Sequence, residues 1–243
     1  MLKSYKFRLY PNQEQRIYLA KTLGCTRFIY NQMLAERIKS YEENKDLDIK
    51  IIKYPTPAQY KSEYEWLKEV DSLALANAQI NLGKAYKNFF RDKSVGFPKF
   101  KKKSNTNSYT TNNQNGTVHI KDNHIKVPKL KSMIKMEKHR EFNGLIKSCT
   151  VSQVPSGKYF ISILVDTENT QLPKTDKKVG VDLGIKEFAI TSDGEKFENP
   201  KWLRKSQKRL TKLQRDLSRK QKGSNNRNKA RLKVAKLYEN TYI

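Results

Sequence analysis

Two cysteines are all that the 243 residues contain, and they stand far apart at Cys25 and Cys149. Such a pair makes neither a metal-ligand motif nor a disulfide framework, and two idle thiols fit a reducing cytosol. Histidine is equally sparse: His119, His124 and His139 share no ligand spacing and read as surface or strand residues. No apolar run approaches about 18 residues and no signal pattern opens the chain, so neither a membrane span nor secretion is expected. Acids are the most telling shortage. Lys and Arg number 50 against 24 Asp and Glu, a formal charge of +26, in a chain only 36% apolar. Self-repulsion of that size opposes compaction unless a polyanion supplies counter-charge. Phosphate backbones do so, with release of their condensed counterions. An anionic membrane surface is the rival partner.

What is present falls into blocks. Lys3 to Tyr10 alternates as a half-buried strand and ends at Pro11; Asn12 with Gln15 three residues on is a capping-box signature. Ile17, Ala20, Gly24, Phe28, Asn31, Leu34 and Ile38 recur at helical spacing and predict one long helix to about Tyr41. A polar stretch with Asp46 and Asp48 leads to a Pro55/Pro57 loop and a second helical region from about Thr56. There Trp66, Leu67 and Val70 cluster, Ser72 is the expected cap of the next helix, and Leu75, Ala78, Leu82, Tyr86 and Phe89 form its core stripe. Gly96 and Pro98 break that helix before a basic exit, Lys99, Lys101, Lys102 and Lys103. Residues 104–116 read as a polar loop. The period then changes to two: Thr117 to Ile120, His124 to Val127, Ile146 to Val154 and Tyr159 to Val165 are expected strands, turning at Asp122-Asn123 and Ser156-Gly157. A small antiparallel barrel is the expectation for this part, with the first strand able to join it.

After a polar linker (166–178), Val179 onward predicts two strands and a tight turn at Asp193-Gly194. Asn199-Pro200 opens a basic helical hairpin broken near Gly223, with Leu203, Leu210, Leu213 and Leu217, then Leu232, Val234 and Leu237, as apolar faces. Residues 201–236 hold fifteen Lys or Arg and one acid, Asp216. A solvated helix mixes signs, because like charges at i and i+4 repel. Arg204, Lys205, Lys208, Arg209, Lys212 and Arg215, followed by Arg219 and Lys220, instead give one sign, which points to nucleic acid over a merely solvated helix or an acidic partner. Charge alone does not separate RNA from DNA. Asp182 is the one chemically suggestive carboxylate, set in the apolar run Val179 to Ile185; if buried it needs a metal, a base or a strong donor, and otherwise it serves a local turn.

GVDLGIKEFAITSDGE resembles the first RuvC motif of the TnpB family of transposon-encoded, RNA-guided nucleases. KFRLYPNQEQ, GCTRFIYN, the block EYEWLKEVDSLALANAQINLGKAYKNFF with GFPKFKKK, and the basic hairpin resemble further family segments in the same order. The resemblance implies an α+β chain: residues 1–165 a small antiparallel β-barrel with a helical insertion at about 12–95, 166–178 a linker, and 179–243 an incomplete RuvC/RNase H-like α/β segment with the hairpin. It also implies guide RNA and double-stranded target DNA as partners, no membrane, and a cytoplasmic, nucleoid-associated location. The family's nuclease centre uses three acids and Mg²⁺, and only the first acid carries over, onto Asp182, as a single weak metal ligand. The family's zinc ribbon has no counterpart, so zinc is not expected. On this reading the chain stops after the first RuvC motif and is cleavage-deficient alone, an RNA-guided DNA binder or repressor. The alternatives are an insertion-sequence remnant, or a nuclease half completed in trans by a carboxyl-terminal fragment.

Overall fold

The computed structural model describes residues 1–45, 54–103, 107–169, 173 and 175–241. Asp46, Asp48, the start of the expected 104–116 loop and part of the 166–178 linker lie outside the described residues. Two compact units divide the chain: residues 1–154 with 158–168, and residues 155–157 with 169–243.

In the first unit, β1 (Leu2–Tyr10) leads into α1 (Gln13–Asn44), and the two join at the expected capping box. The Asn12 side chain accepts from the Gln15 N–H, and the Gln15 side chain accepts from the Asn12 N–H, each at 2.9 Å. After α2 (Pro57–Glu63) and a 3₁₀ turn (Glu65–Glu69) comes α3 (Ser72–Arg91). Its cap is Asp71, one residue before the expected Ser72, because the Asp71 carboxylate accepts from both the Leu73 and Ala74 N–H groups. The strands that follow are β2 (Asn107–Asn112), β3 (His119–Lys121), β4 (His124–Lys126), β5 (Ile134–Glu137), β6 (Leu145–Gln153) and β7 (Tyr159–Asp166).

All seven strands form one antiparallel sheet in the order β2-β6-β7-β1-β5-β4-β3. The expected barrel is realised as a curled, open sheet: β2 and β3 end the order without pairing to each other. β1 holds it together by changing partners, Leu2–Leu9 against β7 and Arg8–Tyr10 against β5. The β3–β4 turn is the two-residue hairpin its sequence predicts, with Asp122 and Asn123 both at positive φ. Two strands were not expected. β2 falls in the supposed polar loop yet pairs residue for residue with β6, and β5 pairs with β1 and β4. Gly144 permits a close approach: at φ +125° a Cβ would meet the Asp166 carbonyl oxygen at 2.2 Å.

The sheet core gathers Phe7, Leu9, Ile125, Ile134, Met136, Cys149, Val151 and the alternate residues Ile161, Ile163 and Val165, closed by Leu19 and Leu23 of α1. A second core, between α1, α2 and α3, contains Ile29, Tyr30, Met33, Leu34, Leu67, Val70, Leu75 and Leu82. The expected α1 stripe is therefore corrected. Ile17 is 54% exposed and Ala20 is exposed, while Leu19, Leu23, Ile29 and Met33 are buried, because α1 serves two cores on different sides.

The second unit has a three-stranded sheet, order β10-β9-β8, from β8 (Val181–Leu183), β9 (Glu187–Thr191) and β10 (Lys196–Glu198). The turn between β9 and β10 carries Gly194 at φ +85°. Helices α4 (Trp202–Ser218) and α5 (Asn225–Thr241) pack through Leu210, Leu213 and Leu217 against Val234, Leu237 and Tyr238. Leu203 and Leu232, expected on these faces, are exposed instead. Among the described residues no helix is long and apolar enough to cross a membrane.

Candidate nucleic-acid interface

The loop between α4 and α5 fixes the basic face. Gly223 turns at φ +86°, and the Ser224 hydroxyl accepts from the Arg227 N–H at 3.2 Å to start α5. The Arg227 guanidinium then donates to the carbonyls of Leu217 (2.9 Å) and Lys220 (3.0 Å), where the α4 dipole is negative. Gln214 donates to the Tyr238 hydroxyl at 2.7 Å. Contacts from 217 to 227 and from 214 to 238 make the two helices antiparallel.

With Leu210, Leu213 and Leu217 turned to α5, α4 leaves its opposite face to solvent. Arg204, Lys205, Lys208, Arg209, Lys212, Arg215, Arg219 and Lys220 are all exposed. Six of them, all but Arg209 and Lys220, border an open groove of about 1000 Å³ with Asp216 on its rim. Arg204, Lys208 and Lys212 step at i+4, about 6 Å per step, and the row from 204 to 219 extends roughly 22 Å. None of the ion pairs among the described residues involves these side chains; every one lies in residues 1–166. Lys205 also sits over the Trp202 ring, 5.5 Å from its centroid.

The exit lysines of the first unit divide in role. Lys99, Lys101, Lys102 and Lys103 are all exposed as whole residues. Lys101 is anchored: its N–H donates to the Asn31 side chain at 2.7 Å, Asn31 donates back to its carbonyl at 2.9 Å, and its ammonium rests 4.2 Å from the Tyr30 ring centroid. Burial of that end lowers the Lys101 pKa. Beside it lies a second groove, about 310 Å³, lined by Arg27, Asn77, Asn81, Lys101, Lys102 and the β2 residues Asn107 to Thr110. The sequence reading missed the asparagines. Their signal was the i, i+4 spacing of Asn77 and Asn81 along one side of α3.

Asp182 lies elsewhere in character. It is exposed on β8, whose only partner among the described residues is β9. No desolvation cost therefore calls for a counter-ion. Asp182 pairs with Ile190, which pairs with Lys196, so a lysine occupies the same sheet face two strands away. Glu187 and Glu198 pair with each other on the opposite face, and Asp193 and Glu195 sit in and beside the turn. Among the described residues no group of three or more His, Cys, Asp or Glu side chains could hold a metal. The octahedral oxygen set that Mg²⁺ requires is not assembled by the carboxylates around Asp182. The three histidines are also apart: His119 and His124 bond the nearby carbonyls of Gly116 and Asp122, and His139 packs on Phe7.

Comparison with known proteins assigns this arrangement to a class. A family model described as "Probable transposase" matches residues 161–242, and one described as "Helix-turn-helix domain" matches residues 1–46. Residues 1–45 fold as one strand and one helix, so the helix pair in that second description is not seen there. The chain is 35% identical over 244 positions to the Escherichia coli (strain K12) protein named "Putative RNA-guided DNA endonuclease InsQ", covering 98% of this chain and 59% of that one. A Streptomyces pristinaespiralis protein named "Putative RNA-guided DNA endonuclease" is 34% identical, with 97% and 59% covered. The Salmonella dublin "Virulence protein VsdF" is 34% identical over 113 residues, 95% of its length and 42% of this chain. A Cas12f1 chain solved with sgRNA and target DNA aligns over all of this chain and 65% of its own at 13% identity and TM-score 0.36, a weak likeness. The chain belongs to the TnpB family of OrfB-type transposases. It spans about three-fifths of the length of the two endonuclease relatives.

Proposed function

We propose that this polypeptide binds a guide RNA and a double-stranded target DNA, and that its 243 residues do not by themselves cut. The observation that carries the binding is the α4 face, eight exposed cations without an acidic partner among the described residues. Cations on a rigid helix neutralise phosphates and fix register while leaving sequence to base pairing. The hairpin is assigned to the guide–target heteroduplex, and the curled sheet with its helices to the guide and the flanking duplex. The Asn77–Asn81 groove suits the flanking motif, because amide side chains present donor and acceptor together to a base edge, beside Lys and Arg for phosphate. The names of the two endonuclease relatives support RNA and DNA as the ligands.

The second unit is read as the opening part of a RuvC/RNase H-like domain, with Asp182 the position of the family's first acid. Two-metal hydrolysis needs paired cations about 3.5–4 Å apart, held by several carboxylates. Asp182 shares its sheet face with Ile190 and Lys196 instead. Mg²⁺ would be recruited weakly at Asp182, and hydrolysis waits on further acids. The coverage of the relatives favours a second reading, in which these residues are the binding part of a longer nuclease. The test is to purify the 243-residue polypeptide, sequence any co-purifying RNA, and incubate the complex with Mg²⁺ and matched duplex. A discrete RNA with retained, intact DNA is the expected result. DNA cleavage that is lost in Asp182→Ala would overturn the inactivity; absence of any nucleic-acid binding would overturn the whole reading.

A further inference from the structure

The carboxyl-terminal end of α3 carries an aromatic ring that nothing in the folding of the first unit requires to be outside. Phe90 is 75% exposed, yet it is not loosely held. Tyr86, one turn earlier, stacks with it at 6.2 Å and 23°, and Phe89 packs beside it at 5.3 Å. The chain then turns back at Gly96, φ +75°, and Phe97 sets its edge against both Tyr86 (5.6 Å, 89°) and Phe89 (5.5 Å, 82°). On its other side Tyr86 is fixed by the Arg37 guanidinium, 5.1 Å from its centroid, which Tyr54 also contacts at 4.9 Å. Phe90 is thus a braced ring presented to solvent.

Charge says what covers it. Residues 84–103 contain eight Lys or Arg and one acid, Asp92, whose carboxylate is already engaged by the Ser94 N–H at 2.9 Å. Lys84, Lys87, Arg91 and Lys99 are exposed. Two other exposed aromatics of this unit's helical block lack that setting: Tyr41 is followed by Glu42 and Glu43, and Trp66 stands among Glu63, Glu65 and Glu69. A preformed aromatic ring with exposed cations three residues before it and one after it is the arrangement that stacks an unpaired base while neighbouring phosphates are neutralised.

We infer that Phe90 is a stacking platform for an unpaired nucleobase of single-stranded nucleic acid, with Lys87 and Arg91 taking the adjoining phosphates. The inference rests on the nucleic-acid reading above but concerns a different unit and a different contact. Duplex bases are stacked internally and do not offer a face to it, so the platform distinguishes single strands from duplex.

The test uses the full 243-residue chain and three fluorescent probes: a single-stranded RNA, a DNA of the same sequence, and the DNA duplex. Phe90→Ala is expected to weaken binding of one or both single strands about tenfold, the size of one lost base stack, with duplex binding unchanged. Phe90→Trp retains single-strand affinity, whereas Phe90→Leu, apolar but without a π face, loses it. RNA alone responding identifies a guide-like strand, and DNA alone a displaced target strand. Equal loss on duplex and single strands, no loss in Phe90→Ala, or full retention in Phe90→Leu overturns the platform while leaving the α4 reading standing. A concentration-dependent dimer abolished by Phe90→Ala in sedimentation overturns it in favour of self-association.

Discussion

The joint between the helical block and the curled sheet hangs on Asp71, and its removal has a size that follows from its partners. The side chain is nearly buried, caps α3 through two backbone N–H groups at 3.2 Å, and accepts from the hydroxyl of Thr111 on β2, itself fully buried. Asp71→Ala removes the cap, worth about 1 kcal/mol, and strands the Thr111 hydroxyl without a partner, worth about 1–3 kcal/mol. Together about 2–4 kcal/mol is expected. Thr111→Val, which removes the hydroxyl and leaves the cap intact, costs less, about 0.5–1.5 kcal/mol. In the double variant the hydroxyl is no longer stranded and only the lost cap at the Leu73 and Ala74 N–H groups remains, so it is more stable than the sum of the singles by about 1–2 kcal/mol. Urea unfolding followed by Trp66 fluorescence in a Trp202→Phe background isolates the first unit, because Trp66 packs on Phe28 of α1. Strict additivity of the two substitutions would show that the carboxylate and the hydroxyl do not cooperate, and would refute the reasoning.

Two further outcomes are open to measurement. Asn31→Ala removes both bonds that hold the Lys101 backbone, so limited trypsin treatment should cut at Lys99–Lys103 faster while α1 remains protected; an unchanged cutting rate counts against the anchor. Burial pushes the Cys149 thiol up from 9.0 to about 12 and the Cys25 thiol to about 11. The unfolded chain ionises first, so stability is full below about pH 9 and falls as pH rises from there toward 12. Cys149→Ala should flatten that fall, and a slope equal to that of the parent protein contradicts it.

How much of this was legible in the sequence depended on whether a signal was local. The Asn12/Gln15 capping box, the Asp122-Asn123 turn and the strict alternation of Tyr159 to Val165 are complete within a few residues, and each is found as read. β2 was hidden because only Tyr109 of Asn107–Asn112 is apolar; its inward partner is Thr111, a polar residue made acceptable by Asp71, 40 positions away. The α1 stripe was misplaced for a similar reason. Leu19 and Leu23 face the sheet while Ile29, Met33 and Leu34 face the helices, so no single stripe describes the helix. The basic face of α4 was legible because one sign of charge on a helix is itself local. The Arg27–Asn77–Asn81 groove was not, since it needs α1, α3, the exit segment and β2 brought together.

The central claim is that unpaired cations of α4 hold a phosphate backbone. Its most direct measurement is the salt dependence of duplex DNA binding by the 243-residue protein and by Lys208→Gln/Lys212→Gln/Arg215→Gln. Each lost phosphate contact removes about 0.9 from the slope of log K against log salt, so the triple variant should bind more weakly with a slope shallower by about 2–3. An unaltered slope, or parent binding indifferent to salt, contradicts the account.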